Sequence, residues 1–375
     1  MITTRHSRKS FAVTGNGGRR HWRNNWLLHR DRKNRDLRAG MRRGKRERFW
    51  LETALDLNDH TRSSVRTTKE HRIIIDLPEE LDFEANYETT ASHFRILRLA
   101  TNLKSRLKTL RFEKIRYISP AAALVLASEV DRWNQVVGGK LRPNTEAWHE
   151  DIQRLLFEMG YFDLLHLPQP DQLSPTKNTT FLKFKRGDLH DPNAGQIAKQ
   201  LRQEIENIVG GSIKRHFLFE GLSEAITNVS QHAYSSSKDI EVKQWWLSAS
   251  YNRDQRSLCV IFYDQGVGIP ETLPSSHLYE FIKDAFHRWP DSEKIQAAMV
   301  VGRSSNEGVE RGKGLQNLVE FAQSHREGVL SIYSLRGLYQ MLNKRNGAGP
   351  VITTVRKDHE TSVGGTLIEW SVKLD

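Results

Sequence analysis

The stretch from Gly221 to Tyr234 reads GLSEAITNVSQHAY, and the rest of the chain is interpreted outward from it. Leu222, Ala225, Ile226, Val229 and Ala233 recur at helical spacing and form one apolar face. Glu224 and Asn228 sit four residues apart on the other side, with Gln231 and His232 a turn later. A carboxylate and an amide stacked on one polar face suit the positioning of a divalent cation and of a water or hydroxyl. The same pattern also describes an ordinary amphipathic surface helix, so the flanking segments must decide between the two.

At 375 residues the chain is long enough for two domains of ordinary size. Cys259 is the only cysteine, which excludes an internal disulfide and zinc sites built on several thiolates. The longest apolar run, Ala121 to Ala127, is far short of a membrane span, and the N-terminus lacks the apolar core of a secretory signal. A cytoplasmic protein with no membrane association is expected. Net charge is +12, but residues 1–50 hold 16 Lys and Arg against 3 Asp and Glu, a net of +13. The other 325 residues therefore sum to -1, and the basic character belongs to one end.

Residues 1–68 carry RRHWRNNW, HRDRKNRDLR and MRRGKRER with no sustained apolar period. A disordered basic tail is expected, able to meet nucleic-acid phosphate through residues 1–50, with Trp22 and Trp26 available for stacking. A solvated tail without a role, translation starting at Met41, and an Arg-rich organelle-targeting peptide are the other readings.

Residues 69–164 read as a small α/β domain. Arg72–Leu77 is a strand bounded by Pro78, Ala85–Lys108 is mostly helical, and Leu110–Ile118 alternates as a second strand. Ser119 and Pro120 open a helix as cap and first-turn residue, and Ala123, Leu126, Ala127, Val130 and Trp133 form its core stripe. A mostly parallel sheet is expected. The run IRYISPAAALVLASEVDRW resembles the STAS fold of sulfate transporters and anti-sigma antagonists, in which a strand and short turn lead into a helix at the functional site. The phosphorylatable members carry Asp-Ser in that turn. Here Pro120 takes the serine's place and Ser119 lies one position earlier, where a helix cap is its simplest role. Residues 165–178 are rich in Pro, Ser, Gln and Asn and read as a linker.

Residues 179–375 form the second domain. A strand at Thr179–Lys185 and a helix from Asp191-Pro192 precede the opening stretch. Ile240–Tyr251 and Leu258–Tyr263 read as a hairpin, the second arm apolar throughout and so central. It runs into Asp264-Gln265-Gly266-Val267-Gly268-Ile269-Pro270. A carboxylate at the end of a buried strand needs a donor, and glycines let another group approach closely. A long irregular segment, Glu271 to Arg311, with helical character at Leu278–Trp289 and Ser292–Val301, ends in Arg311-Gly312-Lys313-Gly314-Leu315 at a helix start, where free N–H groups favour phosphate. Strands at Val329–Ser334, Gly337–Leu342 and Gly365–Lys373 close the chain, the last preceded by Gly364 and opening with Gly365-Thr366.

Taken in order, E-x3-N on a helix, D-x-G-x-G-I-P after a strand, a lid, R-G-K-G-L and a late G-G-T resemble the GHKL superfamily of gyrase, chaperone, histidine-kinase and mismatch-repair ATPases. The fold implied is a two-layer α/β sandwich whose mixed sheet is covered by helices on one face. The resemblance implies ATP and Mg²⁺ as cofactors. Asn228 would coordinate the metal, Glu224 would be the general base, and Asp264 would read the adenine amine. Gly266 and Gly268 would shape the adenine loop, Gly312, Lys313 and Gly314 would hold phosphates, and Thr366 would support either end. S-E-A-x-T-N-x3-H-x-Y is most similar to the bacterial anti-sigma serine kinases, whose partners are STAS proteins. A STAS-type or other regulatory partner is thus implied, and a homodimer is admitted. The expected activity is that of a regulatory serine/threonine-type protein kinase. The alternative is an ATPase conformational switch without protein phosphorylation, gating nucleic-acid contact by the Arg-rich tail. No histidine lies in a histidine-kinase H-box; His93 in SHFRILR is the nearest and its neighbours do not fit.

Overall fold

The run LCVIFY becomes an interior strand of a seven-stranded sheet because it has no polar side to show to water. The computed structural model describes residue 46 and residues 48–374, apart from residues 71, 104–106, 139–140, 142, 171–172, 189–193, 212, 214, 230–232, 235–241, 273–287, 305–313 and 347–348. Two compact units are present, one ending at Asp56 and the other running from Leu57 to Asp375. In the first, helix α1 covers residues 48–54. The stretch expected to be a tail therefore carries regular structure in its last third, including strand β1 (Val65–Thr67) of the second unit. Residues 1–45, with Trp22, Trp26 and Met41, lie outside the described residues.

The second unit is mixed α/β. Its N-terminal lobe holds β1, β2 (Ile73–Asp76) and β4 (Leu107–Arg111) in one small sheet, with β3 (Glu80–Leu81) and β5 (Tyr117–Ile118) in another. The β2–β4 and β3–β5 pairs are parallel as expected, whereas β1 pairs antiparallel to β2. The single strand expected over Leu110–Ile118 is two. The chain turns between them at Glu113-Lys114, with the Ile115 N–H donating to the Phe112 carbonyl at 2.9 Å. Helix α2 (Tyr87–Asn102) and helix α3 (Pro120–Val137) follow the strands. Ser119 caps α3 by accepting from the Ala122 N–H at 3.3 Å, and Gly138 ends it in the left-handed region. Short helices α4 (Glu150–Glu158) and α5 (Tyr161–Leu165) complete the lobe.

The large sheet runs β11-β10-β9-β12-β8-β7-β6, comprising β6 (Thr179–Asp188), β7 (Gln244–Asn252), β8 (Ser257–Asp264), β9 (Glu327–Ser334), β10 (Gly337–Asn346), β11 (Gly349–Asp358) and β12 (Thr366–Lys373). Every neighbouring pair is antiparallel, which corrects the expected mixed sheet. Hairpins join β7 to β8, β9 to β10 and β10 to β11, and β12 enters between β8 and β9 against the direction of both. Strand β11 was not expected: its run Val351–Val355 is β-branched throughout, but nine of its ten residues are exposed and it shows no burial alternation.

Helices α6 (Ala194–Val209), α7 (Arg215–Asn228), α8 (Ile269–Thr272), α9 (Asp291–Ser304) and α10 (Gly314–Gln323) belong to the same part of the chain. Leu222, Ala225, Ile226 and Val229 pack with Leu318, Val319 and Ala322 over Trp245, Val260, Phe262 and Trp370. Each fully buried side chain of this size contributes roughly 1.5–3 kcal/mol. Helix α7 starts six residues before Gly221, at Arg215. Gly221 is a contact residue inside the helix, for a Cβ there would lie 2.8 Å from Leu318 Cδ2.

The other face of the sheet is covered too, by α2 and α3 of the N-terminal lobe. Helix α3 packs on β7 and β8, Arg186 Nη1 pairs with Asp131 at 2.7 Å, Tyr87 stacks on Tyr333, and Phe83 meets the same ring at a tilt. This third layer comes from residues 87–137, outside the segment for which two layers were expected. Strand β8 presents Leu258, Val260 and Phe262 to one side and Tyr263 to the other, so both faces need apolar cover.

Candidate functional site

Strands β8, β9 and β12 bring Asp264, Ser334 and Thr366 together at one end of the sheet. Asp264 is directly opposite Thr366, and Thr366 is directly opposite Ser334. The Ser334 and Thr366 hydroxyls are 3.0 Å apart, and all three residues are buried. The Asp264 carboxylate accepts from the Gly266 N–H at 2.8 Å and from Thr366. Burial pushes its pKa up to about 7 despite these donors. Among the described residues no cation is paired with this carboxylate, which suits a ligand that donates from an amine.

The glycines of the loop after β8 stand where side chains would collide. A Cβ on Gly266 would lie 2.5 Å from the Ala233 carbonyl, and Gly268 has φ of +89° over Leu335 and Ser334. The loop is stitched to the end of the Gly221–Tyr234 stretch. The Val267 N–H donates to the Ala233 carbonyl at 2.8 Å, and the Gln265 N–H donates to the Tyr234 hydroxyl at 3.2 Å. The Ile269 N–H donates to Ser334 Oγ at 2.9 Å, fixing the start of α8. Gln265 is 7% exposed, and neither polar atom of its side-chain amide meets a partner among the described residues. An unpaired buried amide costs about 1–3 kcal/mol, so a donor and an acceptor remain unspent beside Asp264.

Asn228 is the last residue of α7 and is half-buried. Glu224 lies one turn earlier on the same helix, and its side chain is outside the described residues. Gly314 is the first residue of α10, whereas Gly312 and Lys313, with residues 305–311, are outside the described residues. Helices α7 and α10 pack against each other, so Asn228 and the start of α10 belong to adjacent elements. Among the described residues no three His, Cys, Asp or Glu side chains cluster as a metal cage.

Sequence reasoning did not single out Ser334 or Tyr234 as site residues. A serine ending an apolar strand carries no signal of its own, and only the β9–β12 register brings it to Thr366. His93, the nearest histidine to a kinase phosphosite, is buried with both ring nitrogens engaged. Nδ1 is 2.7 Å from the Thr89 carbonyl and Nε2 is 3.0 Å from Ser64 Oγ. A separate depression of about 540 Å³, lined by Ser257, Glu327, Ser371 and Lys373, lies at the opposite ends of β8, β9 and β12. The chain matches no protein-family model and no curated protein sequence.

Proposed function

We propose that residues 179–375 form an ATP- and Mg²⁺-binding domain of the GHKL kind and that the protein is a cytoplasmic nucleotide-dependent signalling regulator. The observation that carries this reading is Asp264: a buried carboxylate at the end of a central strand, opposite Thr366 and followed by two glycines whose places no side chain fits. Adenine offers an amine donor with an adjacent ring acceptor, which meets the carboxylate and the Thr366 hydroxyl in complementary senses.

In this reading Asn228 would hold Mg²⁺, whose other ligands are water and phosphate oxygen. Gly312, Lys313 and Gly314 would hold the phosphates, and Glu224 would orient an attacking water or hydroxyl. The nucleotide supplies a transferable phosphoryl group. Among the described residues no helix is long and apolar enough to cross a membrane.

The phosphoryl acceptor separates two versions of this function. A serine/threonine-type kinase would act on a STAS-type or other regulatory partner. An ATPase switch without protein phosphorylation is favoured, for the chain's own N-terminal lobe, by one observation: Ser119 is spent as the cap of α3 and Pro120 follows it. Nucleic-acid contact by residues 1–50 and a homodimer are compatible with either version.

The test measures Mg-ATP binding, turnover and phosphoprotein formation together on wild type, Glu224→Ala, Asn228→Ala and Asp264→Ala. Binding lost in Asp264→Ala, metal-dependent affinity lost in Asn228→Ala, and turnover alone lost in Glu224→Ala would support the assignment. Wild-type protein that binds no adenine nucleotide would overturn it.

A further inference from the structure

The geometry points to Arg98, in the N-terminal lobe, as a positioning residue for the nucleotide pocket, coupling that lobe to nucleotide affinity. The inference rests on the adenine-site reading of Asp264 and Thr366. It starts from the loop joining β11 to β12, residues 359–365, which α2 grips at four points. Glu88 accepts from the Glu360 N–H at 2.9 Å and the Thr361 N–H at 3.1 Å. The Tyr87 hydroxyl donates to the Thr361 carbonyl at 3.0 Å, and Ser92 Oγ is 3.2 Å from Thr361 Oγ1. Arg98 Nη2 donates to the Val363 carbonyl at 3.0 Å. Helical spacing places these four residues on one side of α2.

Arg98 is the point nearest the pocket. Its guanidinium is held by the fully buried Glu129 of α3, at 3.0 Å from Nε and 2.5 Å from Nη2, and Arg132 shares that carboxylate at 2.6 Å. Nη2 also donates to the Tyr263 hydroxyl at 3.2 Å, and that hydroxyl donates to the Gly364 carbonyl at 2.9 Å. Tyr263 precedes Asp264, and Gly364 lies two residues before Thr366. One guanidinium thus contacts β8 and the loop that leads into β12.

The glycine pair records how tightly the two sides meet. Gly364 has φ of +80°, and a Cβ there would lie 1.4 Å from Arg98 Nη1. Gly365 has φ of +125°, and its Cβ would lie 2.0 Å from the Asp264 carbonyl. Only two linked glycines let the chain pass between the lobe's arginine and the pocket's backbone. A shift of Arg98 therefore moves Gly364, and with it the register of Thr366 against Asp264. By linkage, nucleotide that fixes Thr366 and Asp264 also steadies α2.

The experiment titrates Mg-ADP into the full chain and into Tyr263→Phe, Arg98→Ala and Arg186→Ala, with a thermal midpoint for each. Tyr263→Phe is the mild variant, keeping the ring and the Arg98–Glu129 pair. Arg186→Ala breaks the Arg186–Asp131 contact, another tie between the lobe and the sheet. Tyr263→Phe should weaken ADP about fivefold and Arg98→Ala more, within the usual span of coupling between sites. Arg186→Ala should lower the midpoint and leave ADP affinity unchanged. Hydrogen exchange of the α2 amides should slow when ADP is added to wild type. Wild-type affinity in Tyr263→Phe, or an equal loss in Arg186→Ala, would overturn the coupling while sparing the nucleotide site. Failure of wild type to bind ADP would overturn both.

Discussion

Asp264 and Thr366 face each other directly across β8 and β12, and the carboxylate accepts hydrogen bonds from its partner while remaining buried. Its pKa is raised from the ordinary carboxylate range to about 7 by desolvation. The stabilising contribution of such a group is present below its unfolded pKa of 3.8 and is lost as pH rises through about 7. Asp264→Asn keeps an acceptor for the Gly266 N–H and removes the ionisation. Denaturation from pH 4 to 8 should show the variant gaining on wild type by about 1.4 kcal/mol per pH unit until near 7. A constant difference across that window would mean the carboxylate is charged in the folded protein throughout.

Nucleotide binding should depend on pH in the opposite sense. An amine donor favours the ionised carboxylate, so affinity for adenosine should fall as pH drops below 7, by about tenfold per unit. Adenosine has no group that titrates there, which makes it the probe of choice in a displacement assay between pH 8 and 6.

Thr366→Val removes the hydroxyl that meets Ser334 Oγ at 3.0 Å and helps hold Asp264. Loss of a buried hydrogen-bonding partner should lower stability by about 1–3 kcal/mol and weaken Mg-ADP binding. Thr366→Ser should restore most of both. Urea denaturation and calorimetric titration report the two effects separately.

His93 gives the counterpart to Asp264. Burial lowers its pKa to about 4, so its contribution is present above pH 6.5 and lost as pH falls toward 4. The two groups pull in opposite directions over overlapping ranges, and wild type alone masks both. A His93→Gln variant should therefore be less sensitive to acid than wild type between pH 6.5 and 4. The imidazole resonances of His93 should titrate near 4 by NMR, and no acid-labile phosphate should form on it.

Ser119→Ala should cost about 1 kcal/mol, because it removes the cap of α3. Ser119→Asp, an equally good cap, should retain stability. Neither change should alter phosphate incorporation from labelled ATP if Ser119 is only a cap.

Much of the local structure was legible because it rests on short-range chemistry. Ser119-Pro120 starts α3 and Gly138 stops it, as cap and left-handed turn require. LCVIFY, apolar at every position, is central and covered on both faces. Asp264 was recognisable because a carboxylate ending such a strand must find donors. The failures are equally local in origin. The single strand expected over Leu110–Ile118 ran through the turn at Glu113-Lys114, and the helix of the Gly221–Tyr234 stretch begins six residues earlier, at Arg215.

The sequence by itself determined which residues can do chemistry: a carboxylate after a buried strand, glycines beside it, and an amide and a carboxylate one turn apart on a helix. Those are properties of side-chain type and of spacing along one element. Tertiary structure alone decided which of them meet. The antiparallel register sets Asp264 against Thr366 and Thr366 against Ser334, across about 100 residues and about 30 residues of chain. It also sets Arg98 behind Gly364, 266 residues later, because β8 is apolar on both faces and must be covered on both. No pattern within α2 carries that information, since the partner is a backbone carbonyl and a glycine with no side chain to signal the contact.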